Sequence, residues 1–158
     1  MNLIIGKNGF IAKQLFKRNN SYVLTTSDQT DCDCIYLDLK SPNDFDYSLI
    51  NSSTKIIFLA AISSPDFCEK NFKTAKKINL DGTIYFIKHA LKNNAKVLFF
   101  STDLIYGRCF FPVNETSLTS PFGTYALLKD KVEKEFSNFE NCIKSFEARV
   151  PLKDYLQR

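Results

Sequence analysis

No apolar run in this 158-residue chain approaches the ~20 residues that a membrane-crossing helix needs. The N-terminus lacks a basic segment followed by an apolar stretch and a small-residue cleavage site, which argues against export. The five cysteines are odd in number and scattered, so they do not form a disulfide framework. Reduced thiols in a cytoplasmic protein are the expectation. Cys32 and Cys34 lie on one face of a predicted strand, but no histidine or further cysteine stands near them to complete a metal site. The single histidine, His89, falls between hydrophobic helix positions and reads as a surface or core-edge residue. There are no internal repeats, low-complexity segments or linkers. The net charge of +4 is modest, and the lysines alternate with acids along the predicted helices. Solvated faces fit that pattern better than a nucleic-acid footprint.

What is present is ordinary globular material: 44% hydrophobic and 24% charged residues, in a length that suits one domain with a real core. Short apolar runs at 2–5, 21–26, 34–37, 55–61, 95–100 and 143–150 read as strands, the last closed by Pro151. Helical patterns fall between them. The longest runs from Phe72 to Lys92, where Leu80, Ile84, Ile87 and Leu91 recur at the 3.6 period. Another carries Leu128, Val132 and Phe136 on its inward stripe. Ser63-Ser64-Pro65-Asp66 is a helix start, and 42–51 is a short helix or loop. Strands and helices alternating in this way predict an α/β chain with a Rossmann-type, doubly wound parallel sheet in three layers, α/β/α.

Two stretches carry chemistry. Gly6-Lys7-Asn8-Gly9-Phe10-Ile11-Ala12 follows the first strand and opens a helix with Ile11, Leu15 and Phe16 at helical spacing. In that context Gly6 permits a tight turn, Gly9 lets backbone approach a pyrophosphate, and Ala12 is small enough for close helix packing. About 20 residues on, Asp28 is either the acid that takes the ribose hydroxyls or a member of a polar turn. No arginine stands nearby to accept a 2′-phosphate, and the choice between NAD and NADP stays open. The second stretch is Tyr125-Ala126-Leu127-Leu128-Lys129, preceded by Ser101-Thr102-Asp103 at the end of the fifth strand. On a helix, Tyr125 and Lys129 share one face at i and i+4. An ammonium beside a phenol favours the phenolate and lowers its pKa toward the working range. Thr102 is a hydroxyl able to hold a substrate oxygen against that phenol. Asn79, a mediocre helix former in mid-helix, marks a local inconsistency of the kind found at functional positions.

Six stretches in order resemble the extended short-chain dehydrogenase/reductase superfamily, in the branch of dTDP-4-dehydrorhamnose reductases and nucleotide-sugar epimerases. They are Gly6 to Ala12, Asp38-Leu39, Leu59-Ala60-Ala61, Asn79 to Thr83, Ser101 to Gly107 and Tyr125 to Lys129. The resemblance implies an NAD(P)-binding Rossmann domain over residues 1–151 with a tail at 152–158. It implies a pyrophosphate site at Gly6, Gly9 and the backbone of Phe10 and Ile11, and an adenine flanked by Asp38 and Leu39. Ala60 and Ala61 would line the path to nicotinamide, with Asn79 also at the cofactor. Lys129 would hold the nicotinamide ribose and depress the pKa of Tyr125, the proton donor or acceptor, while Thr102 orients the substrate oxygen.

The implied function is an NAD(P)-dependent reductase or epimerase acting on a nucleotide-linked sugar. The alternative is a non-catalytic NAD(P)-binding module that senses cofactor or pairs with a partner chain. Relatives usually continue for a hundred or more residues that build a lobe gripping the nucleotide sugar. The expectation is therefore a truncated form that binds cofactor but turns over sugars poorly alone. An apolar face would then be open to self-association or to a partner chain.

Overall fold

Three consecutive residues of the first strand, Leu3, Ile4 and Ile5, are all buried. Both faces of that strand are therefore covered, which places it inside a sheet with helices on either side. In the computed structural model, which describes residues 1–107, 112–114, 117–137, 139 and 142–144, it is the third of six strands. These are Asn2–Ile5 (β1), Val23–Thr26 (β2), Ile35–Tyr36 (β3), Lys55–Phe58 (β4), Lys96–Phe99 (β5) and Cys142–Lys144 (β6). The order across the sheet is β3-β2-β1-β4-β5-β6, and every neighbouring pair is parallel. This is the doubly wound arrangement the alternating pattern predicts, with its reversal of direction between β1 and β4.

Several predicted strands are trimmed: the fourth ends at Phe58 rather than Ala61, the second starts at Val23 rather than Ser21, and the third loses one residue at each end to span Ile35–Tyr36. The sixth begins at Cys142; residues 145–150, Pro151 and the 152–158 tail lie outside the described residues.

The helices are Phe10–Arg18 (α1), Pro65–Lys70 (α2), Phe72–Lys76 (α3), Thr83–Lys92 (α4) and Thr124–Glu135 (α5). Helix α1 packs through Ala12, the small residue read as allowing close helix packing, and not through all of the apolar residues at helical spacing. Ile11 and Phe16 are exposed and Ala12 is fully buried. A side chain no larger than a methyl lets the helix approach the sheet closely, which turns its longer neighbours outward. Helix α2 starts as read, with Pro65 in the first turn and the Ser64 hydroxyl accepting from the Phe67 N–H at 3.2 Å. The segment 42–51 forms two 3₁₀ turns, Pro42–Asp44 and Tyr47–Leu49. Phe45, Phe58 and Phe86 pack edge-on or tilted, with centroids 5.3 Å (Phe45–Phe86) and 5.8 Å (Phe58–Phe86) apart. Aromatic contacts of this kind add to what burial alone contributes. His89 lies at the edge of this cluster, half-buried and stacked on Tyr85.

Candidate active site

At the end of β1 the chain turns at Gly6, whose φ of +98° is a conformation that side-chain-bearing residues rarely adopt. A Cβ there would lie 2.9 Å from the Ala60 Cα, so the turn also packs against the segment that follows β4. The Gly6 N–H donates to the Thr25 hydroxyl at 3.2 Å and the Lys7 N–H to the Thr25 carbonyl at 3.1 Å. These bonds tie the turn to β2. Gly9 differs: its φ is −65°, and the nearest atom to an added Cβ is the Gly6 carbonyl oxygen at 3.5 Å. Nothing in the protein itself requires glycine at position 9.

The ends of β1, β2, β3 and β4 surround a cleft of about 450 Å³. It sits at the reversal of strand order, where open α/β sheets bind their ligands. Gly6, Gly9, Asp38, Leu39, Ala60 and Ala61 all line it. Phe10 and Ile11 do not; their side chains are exposed on α1, and only their backbone N–H groups at the helix start suit a phosphate. Asp28 is also outside the lining. Its carboxylate accepts from the Thr30 N–H at 2.9 Å and hydroxyl at 2.7 Å, bonds that lower its pKa. Of the two readings of Asp28, the polar turn describes where its side chain lies. The residues after β2 that do reach the cleft are Thr26 and Ser27.

Asn79 is buried and its amide is engaged by backbone rather than turned to the cleft. Oδ1 accepts from the Ile62 N–H at 2.8 Å and Nδ2 donates to the Ile62 carbonyl at 2.9 Å. Cys68 adds a thiol contact to the same carbonyl at 3.4 Å. Asn79 therefore fixes the Ala60-Ala61-Ile62 wall from behind. The predicted long helix accommodates this by widening into a π turn at Lys77–Gly82, between α3 and α4. Gly82 closes that turn against the Leu39 carbonyl, where a Cβ would come within 1.9 Å of the oxygen.

Thr102 follows β5 and caps the 3₁₀ turn Asp103–Tyr106, its hydroxyl accepting from the Leu104 N–H at 3.3 Å. Tyr125 and Lys129 are both on α5, with Tyr125 packed on the core and Lys129 only 3% exposed. The Lys129 Nζ donates to the Phe100 carbonyl at 2.7 Å and sits 4.4 Å from the centre of the Phe99 ring. Burial, rather than charge pairing, dominates both groups. It pushes the Tyr125 phenol up to about 12, helped by Cys68 and Asp103. It brings the Lys129 ammonium down to about 8, opposed by Glu133. The expectation that Lys129 lowers the Tyr125 pKa is thus reversed in this structure. Desolvation disfavours the phenolate, and the ammonium is turned to a backbone carbonyl.

Two contributors escaped the sequence reading. Glu69 on α2 caps α5, accepting from the Thr124 N–H at 2.7 Å and from its hydroxyl at 2.9 Å. It thereby sets the start of the helix that carries Tyr125; no local sequence signal links residues 55 apart. Ser101, next to Thr102, has a buried hydroxyl with no hydrogen-bond partner among the described residues. Such an orphan is costly and calls for a ligand or a functional reason.

Several solved structures share this architecture. A hypothetical dTDP-4-dehydrorhamnose reductase from Sulfolobus tokodaii matches with a TM-score of 0.78 at 20% identity, over 90% of this chain and 54% of its own. MoeE5, solved in complex with UDP-glucose and NAD, matches with a TM-score of 0.73 at 20% identity, over 91% of this chain and 51% of its own. UDP-N-acetylglucosamine 4-epimerase from Methanobrevibacter ruminantium gives 0.71 at 20% identity, over 90% and 52%. The chain spans about half the length of each, and at this identity the likeness is one of fold. No curated protein matches the sequence. Residues 2–141 match the NAD dependent epimerase/dehydratase family, and the chain belongs to it.

Proposed function

We propose that the chain holds NAD or NADP in the cleft between β1 and β4 and serves a reductase or epimerase that acts on a nucleotide-linked sugar. The observation that carries the catalytic part is Lys129: a lysine almost wholly buried, its Nζ on the carbonyl that follows β5, one residue before the unpaired Ser101 hydroxyl. Burying an ammonium disfavours folding, and desolvated titratable groups gather at functional sites. The cleft fits a dinucleotide on its own geometry. Gly6 makes the tight turn, and a Cβ at Gly9 would meet only the Gly6 carbonyl oxygen, at 3.5 Å, so the position has room for a phosphate where a side chain would stand.

Gly6, Gly9 and the backbone of Phe10 and Ile11 would hold the pyrophosphate. Asp38 and Leu39 would flank the adenine, and Ala60 and Ala61 the path to nicotinamide. The nicotinamide ring, when bound, supplies the hydride donor or acceptor. Thr102 orients the sugar oxygen and Tyr125 moves its proton. With a pKa near 12 the phenol holds its proton at neutral pH, the form that donates in a reduction. Proton removal needs the phenolate, which the Lys129 ammonium stabilises once drawn from the Phe100 carbonyl. Contact with a second copy or a partner chain has support in Leu118 and Phe122, 94% and 69% exposed in the segment between β5 and α5.

Titration of the purified chain with NAD and NADP, followed by assay of nucleotide-linked 4-keto sugars with each, tests the reading. Saturable binding with turnover that depends on Tyr125 supports it. Binding without any turnover in the full assembly favours a cofactor-sensing module, and no binding at millimolar concentration removes both.

A further inference from the structure

We propose that Lys7 receives the 2′-phosphate of NADP, and that Asp31, paired with Lys7, sets the balance between the two nicotinamide dinucleotides. The proposal rests on the cleft being a dinucleotide site. Lys7 lines that cleft beside Thr25, Thr26 and Ser27, at the end of β2 where an adenosine ribose lies in doubly wound folds. The acid that ordinarily takes both ribose hydroxyls, and so repels a phosphate, is not there. Asp28 is folded onto Thr30, outside the lining. What lines the cleft here is the hydroxyl residues Thr25, Thr26 and Ser27 at the end of β2 and Lys7 from the glycine turn, a set that accepts either a ribose or its phosphate.

The surroundings of Lys7 favour an anion. A second hollow, of about 410 Å³, shares Lys7 and Asn8 with the cleft and is otherwise lined by Lys13, Phe16, Lys17 and Leu24. Three lysines line it, and the Asp31 carboxylate pairs with one of them, Lys7. A phosphate monoester carries close to two negative charges near neutrality, so it would be drawn to this edge.

The Lys7 ammonium is paired with the Asp31 carboxylate, and both side chains keep some exposure, 28% and 17%. Pairs of this kind contribute little to stability. A dianion can therefore displace Asp31, at the cost of stranding its carboxylate beside the new phosphate. NAD leaves the pair undisturbed. Asp31 thus acts as an internal competitor: the chain binds both dinucleotides, and NADP less tightly than Lys7 alone would allow.

Calorimetric titration of NAD and NADP into the wild-type chain, Asp31→Asn and Lys7→Gln tests this. Asp31→Asn should tighten NADP by ~5–10-fold and change NAD by less than ~2-fold, a shift typical of one charge-assisted contact. Lys7→Gln should weaken NADP by ~10-fold or more relative to NAD. Because Lys7 lies in the glycine turn, the readout is the ratio of the two affinities in each variant. A ratio unmoved by both substitutions, with NAD still bound, overturns the proposal while leaving the cleft as a dinucleotide site. Failure of both dinucleotides to bind the wild-type chain overturns the two together.

Discussion

At the β1–β4 reversal the candidate groups belong to the backbone: a left-handed turn at Gly6, a Gly9 whose added Cβ would meet only the Gly6 carbonyl oxygen, and the helix start at Phe10 and Ile11. Around the end of β5 and along α5 they are side chains, and most are removed from water: Lys129, Asp130 and Glu133 are buried and Tyr125 is half-buried. The first region is shaped by sterics and stands ready as an open cleft. The second is shaped by desolvation, which raises the Tyr125 pKa and lowers that of Lys129, the opposite of what the proposed proton removal would need. A site of the first kind is set by the apo fold, whereas one of the second kind depends on what fills it.

The largest expected effect belongs to the second region. In a protein that turns over, Tyr125→Phe should lower the rate by ~10²–10⁴-fold, the usual contribution of a general acid or base. NAD affinity should stay within about twofold. Unchanged turnover would remove Tyr125 from the chemistry and collapse the contrast between the two regions.

Gly82→Ala probes the scaffold behind the cleft. Its methyl would meet the Leu39 carbonyl at 1.9 Å. The expected loss is about 3 kcal/mol, the upper part of the range for overpacking. Chemical denaturation reads it directly. A loss below about 0.5 kcal/mol would mean that the π turn can shift away from the Leu39 carbonyl.

Lys129→Met separates stability from function. In the folded chain this lysine titrates near 8 instead of its ordinary 10.5. Between those values the unfolded chain holds a proton that the folded chain has released, so stability rises with pH across the window. Tyr125 works the other way. Its folded pKa of about 12 lies above the ordinary 10, so stability falls as pH climbs from 10 to 12. The wild type should therefore gain on Lys129→Met by on the order of 2 kcal/mol between about pH 7.5 and pH 9.5. Parallel denaturation series in that range would show a constant difference if Lys129 were solvated.

The sheet was legible because covered strands are written as uninterrupted apolar runs: β1 is buried at Leu3, Ile4 and Ile5, while β4 and β5 are buried at alternate residues with Ile57 and Leu98 half-buried between them. The glycine turn was legible because Gly6 solves a steric problem that no other residue solves. The placement of Tyr125 and Lys129 on one helix was legible from spacing alone, but the direction of both pKa shifts was not. Those shifts depend on how deeply α5 packs, which is a tertiary quantity. Asn79 is a mediocre helix former, and that much is legible in the sequence. Its actual partner, the Ile62 backbone, and the π turn that lets it reach there come from a contact 17 residues away. Asp28 occupied the expected sequence distance, yet the nearby Thr30 captured its carboxylate.

The central claim is that the glycine-turn cleft is a dinucleotide site whose requirement at position 9 comes from the ligand and not from the fold. Calorimetric titration of NAD into the wild-type chain and into Gly9→Val, with a thermal melt of each, tests it most directly. The expected result is saturable one-to-one binding that weakens by ~100-fold or more in the variant, with nearly superimposable melting curves. Equal binding by Gly9→Val, or no saturable binding by the wild type at millimolar NAD, would contradict the account.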